Sequence, residues 1–510
     1  MIDQDFLIKI AVLTAYVAVL FLIGIIASRR IKGMSDYYVG GKKMGFWAVA
    51  FSARATGESG WLLIGLTGMG AMAGYSSYWV VIGELLGVIV SWQFMAKRFK
   101  KRSDSYGSIT IPDYLQSHFK STSHTLRAIA ASALVVLIVI YVASQIDVTG
   151  IAFESMLGID YRVGALIGFF IVLSYIFIGG FVAAVWSDLF QGLLMFFGLV
   201  LLPIVVWFSM DHGTGITGGL NAIDPTLTHV LGRSTDPWMN LFTILGFSMI
   251  GLGFLGSPQV YVRFMSIKDE NEINKGKWVA AVFTLLTDAA AVTIGILARI
   301  YFTENGQDPE VILGNNGENV LSMITESFLP TLLVAIFIAI VLSAIMSTID
   351  SLLILASSAI TRDFYQKIFR PHIKDEELTK ISRVATVIMA FTALIIAIVM
   401  NYVSPDRQIF WVIIFGWSGI AATFCPVIIL SLFWRGYSEK GAIASMFSGF
   451  VSVILFNFVF KEMSDIGQYF IALDVLAPSF AIAMFVGIVV SKIFPPKAEA
   501  IKMIKEIDAE

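Results

Sequence analysis

Thirteen predominantly apolar stretches, each roughly 20 residues or longer, recur along this chain of 510 residues. About 20 apolar residues in a helix cross the hydrocarbon core of a bilayer, and there only helices or closed barrels satisfy every backbone polar group. The chain is 57% hydrophobic and 14% charged, whereas soluble domains carry about 25% charged residues. The sequence therefore predicts an all-α integral membrane protein with thirteen transmembrane helices in a lipid bilayer.

The distribution of basic residues predicts the orientation of these spans. The predicted spans are residues 6–27, 46–72, 77–96, 127–150, 162–179, 186–209, 239–262, 278–302, 330–360, 384–402, 408–433, 441–460 and 469–491. Of the Lys and Arg residues in the loops, in the tail and at the ends of the spans, 28 lie on one side of the predicted membrane, counting Arg263 in an inner loop, and 5 on the other. The positive-inside rule then places the N-terminus outside and the C-terminus in the cytoplasm of a multi-pass protein of the plasma (inner) membrane.

Several function classes are not indicated. The single cysteine, Cys425, lies in an apolar run, which excludes disulfides and cysteine metal clusters. The five histidines are scattered, no Ser/His/Asp or metal-ligand set converges, and a net charge of -2 gives no sign of nucleic-acid binding. No phosphate-binding loop is present. We therefore expect a protein that is not an enzyme, has no cofactor and draws energy from an ion gradient.

Two predicted spans are interrupted by small residues and proline. Residues 53–61 read A-R-A-T-G-E-S-G-W, and residues 251–258 read G-L-G-F-L-G-S-P. Two broken helices, each opening a run of about five spans, are typical of transporters with inverted repeats, whose binding sites lie at the breaks. The predicted organisation is a single transporter domain with a first inverted repeat, a second inverted repeat, two peripheral helices and a cytoplasmic tail at residues 46–209, 239–433, 441–491 and 492–510.

The ninth predicted span carries hydroxyl groups and one carboxylate. At 100° per residue, Ala344, Ser347, Thr348 and Ser351 share a face, with Asp350 on its flank. Two hydroxyls and a carbonyl one turn apart form a hard-oxygen surface suited to a small alkali cation. The alternative is that these residues only allow close helix packing or bond to the preceding turn.

Ionisable residues inside predicted spans are functional candidates because each needs a partner in hydrocarbon. The candidates are Arg54, Glu58, Asp147, Asp188, Asp288 and Asp350. Arg54 and Glu58 are four residues apart and can pair on one helix face, and we predict that Asp350 joins them in a triad of net charge near -1. One sodium ion or one proton would neutralise that charge. For Asp188, at the predicted start of the sixth span, the alternative role is a helix cap.

The chain resembles the sodium:solute symporter family, and most of all its proline-permease branch. The similar stretches are D-Y-Y-V-G-G-K-K-M-G (36–45), S-G-W-L-L-I-G-L (59–66), T-I-P-D-Y-L (110–115), I-G-G-F-V-A-A-V-W-S-D-L-F-Q (178–191), G-L-G-F-L-G-S-P-Q-V-Y-V-R-F-M (251–265) and A-I-M-S-T-I-D-S-L-L-I-L-A-S-S-A-I-T-R-D-F-Y (344–365). The resemblance implies a thirteen-helix LeuT-like fold in which helices two to eleven form two inverted five-helix repeats.

The resemblance also implies site residues. It places a sodium ion at the carbonyls of Ala55, Glu58 and Ala344 and the hydroxyls of Ser347 and Thr348. Ion-binding candidates therefore include these five residues with Asp188 and Asp350, and the solute site comprises Gly57, Tyr141, Ile250, Phe254 and Pro258. The chain differs from proline permeases at six of the candidate positions. Gly57 stands where they carry an aspartate, Arg54 and Asp147 where they carry small residues, and Asp350 where they carry a serine. Ile250 and Phe254 stand where they carry a Trp and a Tyr.

These features together predict a secondary symporter that functions as a monomer. We expect Na⁺ to drive uptake of a small organic solute, an amino acid such as proline first. The additional acidic residues leave open a proton as coupling ion, or a cationic solute such as a polyamine or basic amino acid. A transporter-like sensor is the alternative of another class; it would need a cytoplasmic catalytic domain after the last span.

Overall fold

The structure is a computed structural model that describes residues 4–210, 215–304, 314, 317–404 and 407–509. It is built of helices, which are α1 (Gln4–Ser28), α2 (Met34–Val39), α3 (Phe46–Gly57), α4 (Thr67–Ala73), α5 (Tyr78–Val90), α6 (Ala96–Ser105), α7 (Ile111–His118), α8 (Thr125–Leu157), α9 (Tyr161–Ser209), α10 (Gly215–Ile223), α11 (Pro237–Met249), α12 (Pro258–Ser266), α13 (Glu270–Glu304), α14 (Val320–Phe328), α15 (Thr331–Ser358), α16 (Asp375–Val403), α17 (Ile409–Phe433), α18 (Glu439–Leu455), α19 (Gly467–Leu473), α20 (Leu476–Ile493) and α21 (Ala498–Ala509).

Eleven helices of the described residues are long and apolar enough to cross a membrane. Two of the predicted spans do not stand as separate members of that set. The second is split by a break after α3, and its remainder runs on into the third as Trp61–Ser105. The fifth, Tyr161–Phe177, is shorter than the other spans. The multi-pass architecture is confirmed, while the number thirteen stays a prediction.

Helix breaks occur where glycine or proline removes the regular backbone pattern. Gly180 interrupts α9 with φ 52° and ψ -151°, a conformation that residues with a side chain rarely adopt. The predicted break after Gly57 is present, and a tight 3₁₀ segment, Ile250–Leu255, separates α11 from α12. Pro258 is the first residue of α12, where its missing N–H costs nothing.

The helices differ in how much of their surface is covered by protein. In both α15 and α17, 83% of the most apolar window is buried, against 28% in α1 and α20. The broken helix α3 packs against α9, α12, α13 and α15. The two buried helices and α3 therefore form the centre of the molecule, whereas α1 and α20 lie at its periphery.

Beyond the last span, the predicted tail contains the amphipathic helix α21. It buries Ala500, Ile504 and Ile507, and its Asp508 accepts hydrogen bonds from Arg102 and Arg435. The sequence prediction had no helix here. The bounds of the two repeats, of the peripheral pair and of the tail stay predictions.

Candidate ion and solute site

The predicted alkali-cation ligands meet where α15 crosses the C-terminal end of α3. The hydroxyl of Ser347 donates to the carbonyl oxygen of Ala55 (3.0 Å), and that of Thr348 donates to the carbonyl oxygen of Thr56 (3.1 Å). Both hydroxyls also reach the carbonyl oxygen of Ala344, at 3.1 and 3.2 Å. This group of neutral hard oxygens is fully buried.

For the predicted ligand Glu58, the structure shows contacts of the amide and of the carboxylate. Thr348 faces the carbonyl of Thr56, while the amide of Glu58 closes the last turn of α3 on the carbonyl oxygen of Arg54 (2.9 Å). The carboxylate of Glu58 points away, toward Arg54 and α13. The two hydroxyls of α15 nevertheless contact three carbonyls, two on α3 and one on α15, and such oxygen ligands suit Na⁺.

Beside this group, Asp188 is paired with a buried arginine. The guanidinium of Arg263 lies 2.9 Å from a carboxylate oxygen of Asp188 and also donates to the hydroxyls of Ser52 (2.7 Å) and Thr56 (2.6 Å). It contacts Ser351 as well, on the face of α15 that carries the two hydroxyls. The prediction that Arg263 lies in a cytoplasmic loop is wrong: its side chain is 1% exposed. Asp188 lies two turns inside its helix segment, which begins after Gly180, and not at a helix start.

Asp350 belongs to this second group and not to Arg54 as predicted. Its carboxylate accepts hydrogen bonds from Ser351 (2.9 Å), Tyr175 (3.2 Å) and Ser187 (3.4 Å). The reason is its direction on α15, which turns it toward α9. Asp188 and Asp350 therefore share a neighbourhood that contains one guanidinium, and Oδ1 of Asp188 is buried with no hydrogen-bond partner among the described residues.

Arg54 and Glu58 do pair as predicted, and their further neighbour is Glu84. Arg54 donates from Nε to Glu58 (3.0 Å) and from a terminal nitrogen to Glu84 (3.1 Å). Asp288 completes the cluster, since carboxylate oxygens of Glu58, Glu84 and Asp288 all lie within 4.8 Å of one another. All four side chains are buried. With every group ionised, the cluster would hold three negative charges against one positive charge.

The helix breaks bring aromatic side chains around the backbone of Gly57. A side-chain carbon at Gly57 would come within 2.7 Å of the Phe254 ring, so only glycine fits against that ring. The Phe254 ring packs against Trp417 in a tilted arrangement with centroids 5.0 Å apart, and the guanidinium of Arg54 lies over the Phe254 ring, 4.5 Å from its centre. The hydroxyl of Tyr141 lies 3.5 Å from that of Ser59.

Backbone groups freed by the breaks are taken up by side chains. The indole of Trp61 donates to the carbonyl oxygen of Gly57 (3.0 Å), and the indole of Trp417 donates to that of Ile250 (3.1 Å). The amide of Gly60 donates to Gln145 (3.3 Å), whose own Nε2 is buried without a partner among the described residues. The predicted solute residues Gly57, Tyr141, Ile250, Phe254 and Pro258 are thus all buried at the two breaks.

Asp147 lies apart from these groups. It pairs with Arg407 (2.8 Å) and accepts a hydrogen bond from Tyr161 (2.5 Å), which links α8 to the start of α9 and to the segment between α16 and α17. Because Arg407 already neutralises the charge of Asp147, the geometry indicates that Asp147 has a structural role and connects helices.

Glu84, Arg263 and Trp417 were not identified from the sequence as site residues. Glu84 stands alone in an apolar run of α5, and that isolation was the available signal. Arg263 was counted in a loop because the predicted seventh span ended at residue 262, whereas α12 continues to Ser266. Nothing in the sequence distinguished Trp417 as a site residue, because tryptophan is common in membrane helices.

The chain is similar to known proteins along most of its length. The model of the sodium:solute symporter family matches residues 37–449. The high-affinity proline transporter of Bacillus subtilis is 33% identical over 91% of this chain and 97% of its own, and the sodium/proline symporter of Escherichia coli is 31% identical over 92% and 91%. A Na⁺-coupled sialic acid symporter of known structure superposes with a TM-score of 0.76 at 21% identity, covering 96% of this chain and 99% of that one. The LeuT-like fold class is confirmed.

Proposed function

The chain belongs to the sodium:solute symporter family, and from that premise we propose that it imports a small amino acid, proline first, with Na⁺ bound between α3 and α15. It is a sodium-coupled secondary transporter of a small-molecule solute in the membrane, and not an enzyme. In this proposal it works as a monomer with its N-terminus outside and its C-terminus in the cytoplasm.

The observation that carries the sodium site is the contact of Ser347 and Thr348 with the end of α3. Their hydroxyls lie 3.0 and 3.1 Å from the carbonyls of Ala55 and Thr56, at the point where α3 stops. An ion bound there holds α15 against the broken helix, and the break is also where the solute binds. Na⁺ binding therefore raises solute affinity by favouring the arrangement in which both helices meet.

Arg54 supports a solute that carries a carboxylate. Its Nη1 is buried without a hydrogen-bond partner among the described residues, although its other nitrogens bind Glu58 and Glu84. The guanidinium lies against Phe254, beside the backbone of Gly57. A carboxylate bound beside Arg54, next to the backbone of Gly57, would satisfy that nitrogen, and Tyr141 and Trp417 would enclose the apolar part of the solute.

A second candidate rests on the surplus of acidic groups around Arg54. Glu58, Glu84 and Asp288 together exceed the one positive charge they surround. That surplus favours either a cationic solute, such as a basic amino acid or polyamine, or a proton that accompanies transport. The hydroxyl pair on α15 favours sodium, since a proton site would not need it.

The test is uptake into proteoliposomes of the purified transporter under imposed gradients. Labelled L-proline, L-lysine and putrescine are compared at fixed membrane potential, with Na⁺ and pH varied independently. The proposal expects proline uptake that depends on Na⁺ and is competed by proline better than by prolinamide, which lacks the carboxylate. Uptake of lysine or putrescine in place of proline supports the second candidate, and uptake that depends on neither ion rejects coupling.

A further inference from the structure

A basic cavity lies at the end of the third span, on the face predicted to be cytoplasmic. Its volume is about 690 Å³. It is lined by Lys97, Arg98, Lys101, Arg102, Glu270, Leu432, Phe433, Arg435 and Asp508. Five of these side chains are cationic and two are anionic, so the lining carries a net charge of +3. The transport path described above contains none of these residues.

The cations of this cavity fall into two sets. Arg102 and Arg435 are paired with Asp508, at 3.0 Å each. Lys97 and Lys101 are one helical turn apart on α6, and their ammonium groups make no ion pair or hydrogen bond with any other described residue. Arg98 has its guanidinium over the ring of Phe433, 4.7 Å from its centre. Three positive charges therefore face the cavity without an acidic partner.

Asp508 already occupies part of the cavity as an anion. Partial burial disfavours its charge, yet hydrogen bonds from Arg435 and Arg102 lower the pKa of Asp508. The carboxylate comes from α21, which packs on the molecule through Ala500, Ile504 and Ile507. The cavity thus binds one oxyanion of the chain itself and retains an unpaired cationic half.

The position of the cavity indicates what completes it. α6 continues a membrane-spanning helix, and Phe433 ends the span α17. Beside the cations, Phe94 is 57% and Phe433 46% exposed, which are apolar surfaces at the height of the membrane boundary. Basic pockets between membrane helices on the cytoplasmic side suit lipid phosphate head groups, with the acyl chains on the neighbouring apolar surface.

We propose that this cavity binds the phosphate of an anionic phospholipid through Lys97, Arg98 and Lys101, with the acyl chains against Phe94 and Phe433. The site is additional to the proposed transport function and does not depend on it. Asp508 limits the cavity to one lipid phosphate, because it keeps Arg102 and Arg435 occupied.

The experiment is native mass spectrometry of the full-length transporter titrated with phosphatidylglycerol or phosphatidylcholine. We expect the protein to bind phosphatidylglycerol at least about tenfold more tightly, and K97Q/R98Q/K101Q to lose that preference. D508N, which frees two arginines, should bind phosphatidylglycerol more tightly than the wild type. The matched control is R370Q/K374Q/K380Q, which removes the same charge from exposed positions on the same face and should keep the preference.

Three outcomes would overturn the proposal. The first is equal binding of the two lipids by the wild type, a result that needs no variant to fold. The second is equal loss of the preference in the control triple variant, which would show that only the overall charge of the face matters. The third is complete displacement of the lipid by inorganic phosphate at about 10 mM. That result would identify a site for free phosphate.

Discussion

The guanidinium of Arg263 lies 2.9 Å from the carboxylate of Asp188, and neither side chain is more than 1% exposed. The arginine reaches across from α12, the helix that follows the second break, to α9. It also contacts Ser52 and Thr56 on α3 and Ser351 on α15. A single side chain therefore joins both broken helices to α15, the helix that carries the hydroxyls of the proposed sodium site.

R263Q should strongly destabilise the transporter, because Asp188 would keep a buried charge without a partner. Breaking a buried ion pair costs about 3–5 kcal/mol. D188N should insert in the membrane but transport slowly, and D188N/R263Q should regain part of the stability lost in R263Q. Thermal unfolding in detergent measures the stability of the three variants. R435Q is the control, because it breaks a partly exposed ion pair with Asp508 and should have only a small effect. A single variant R263Q as stable as wild type would contradict the pairing.

S347A/T348A should weaken the apparent affinity for Na⁺ by about tenfold or more, because contacts to a charged group are worth about 1.5–3 kcal/mol each. Maximal uptake at saturating Na⁺ should be reduced less. The measurement is uptake as a function of Na⁺ concentration. S343A is the control, since Ser343 is on the same helix but its hydroxyl bonds to Tyr16 (3.0 Å). An unchanged Na⁺ dependence in the double variant would place the ion elsewhere.

Helical periodicity was sufficient to predict which hydroxyls of α15 share one face. Ala344, Ser347, Thr348 and Ser351 share a face of α15, and that face meets α3 because an apolar helix turns its few hydroxyls toward protein. Arg54 and Glu58 pair for an equally local reason, their spacing of four residues. Both predictions needed only the spacing of residues along one helix, and a single sequence contains that spacing.

Contacts between distant helices could not be predicted in the same way. Asp350 was grouped with Arg54 because an arginine in hydrocarbon needs an acidic partner and the resemblance implies that the ninth span faces the first break, but the position of Asp350 on α15 turns it to Tyr175 and Ser187. Glu84 reaches Arg54 (3.1 Å) from α5, a helix that lies at backbone distance from the residues before the second break: a side-chain carbon on Gly83 would lie 2.0 Å from the carbonyl oxygen of Ser248. Such an approach depends on tertiary packing and leaves only an unremarkable glycine in the sequence.

R54K should reduce the affinity for proline although it keeps the positive charge. Arg54 binds Glu58 and Glu84 with different nitrogens and presents a flat face to Phe254, and an ammonium group cannot reproduce this geometry. We expect the half-saturation concentration to rise at least as far in R54Q, together with loss of the discrimination between proline and prolinamide. Competition uptake measures both. Undiminished discrimination in R54Q would remove Arg54 from the solute site.

F254A should raise the half-saturation concentration for the transported solute severalfold. The ring lies between Arg54 and Trp417 and covers Gly57, so its loss enlarges the site and releases the guanidinium. F264A is a matched control, because Phe264 is an equally buried ring that packs on Trp92 and Tyr261 instead. If both variants change uptake alike, the effect comes from general loss of packing and the solute binds elsewhere.

His118 should make the stability of the protein fall in mild acid. It is buried at the end of α7, between the membrane spans, with its ring stacked on Tyr114 and Nδ1 3.2 Å from the hydroxyl of Tyr106.

Burial lowers the pKa of His118 to about 3, and the charge of Arg102 acts in the same direction. The unfolded chain, with a pKa near 6.5, therefore binds the proton first. The stabilising contribution is complete above about pH 6.5 and is lost progressively as the pH falls toward 3. Thermal unfolding of wild type and H118Q between about pH 7.5 and 5.5, one unit either side of the pKa of the unfolded chain, measures the effect. The variant should show the smaller decrease, and an identical decrease in both proteins would assign the acid sensitivity to other groups.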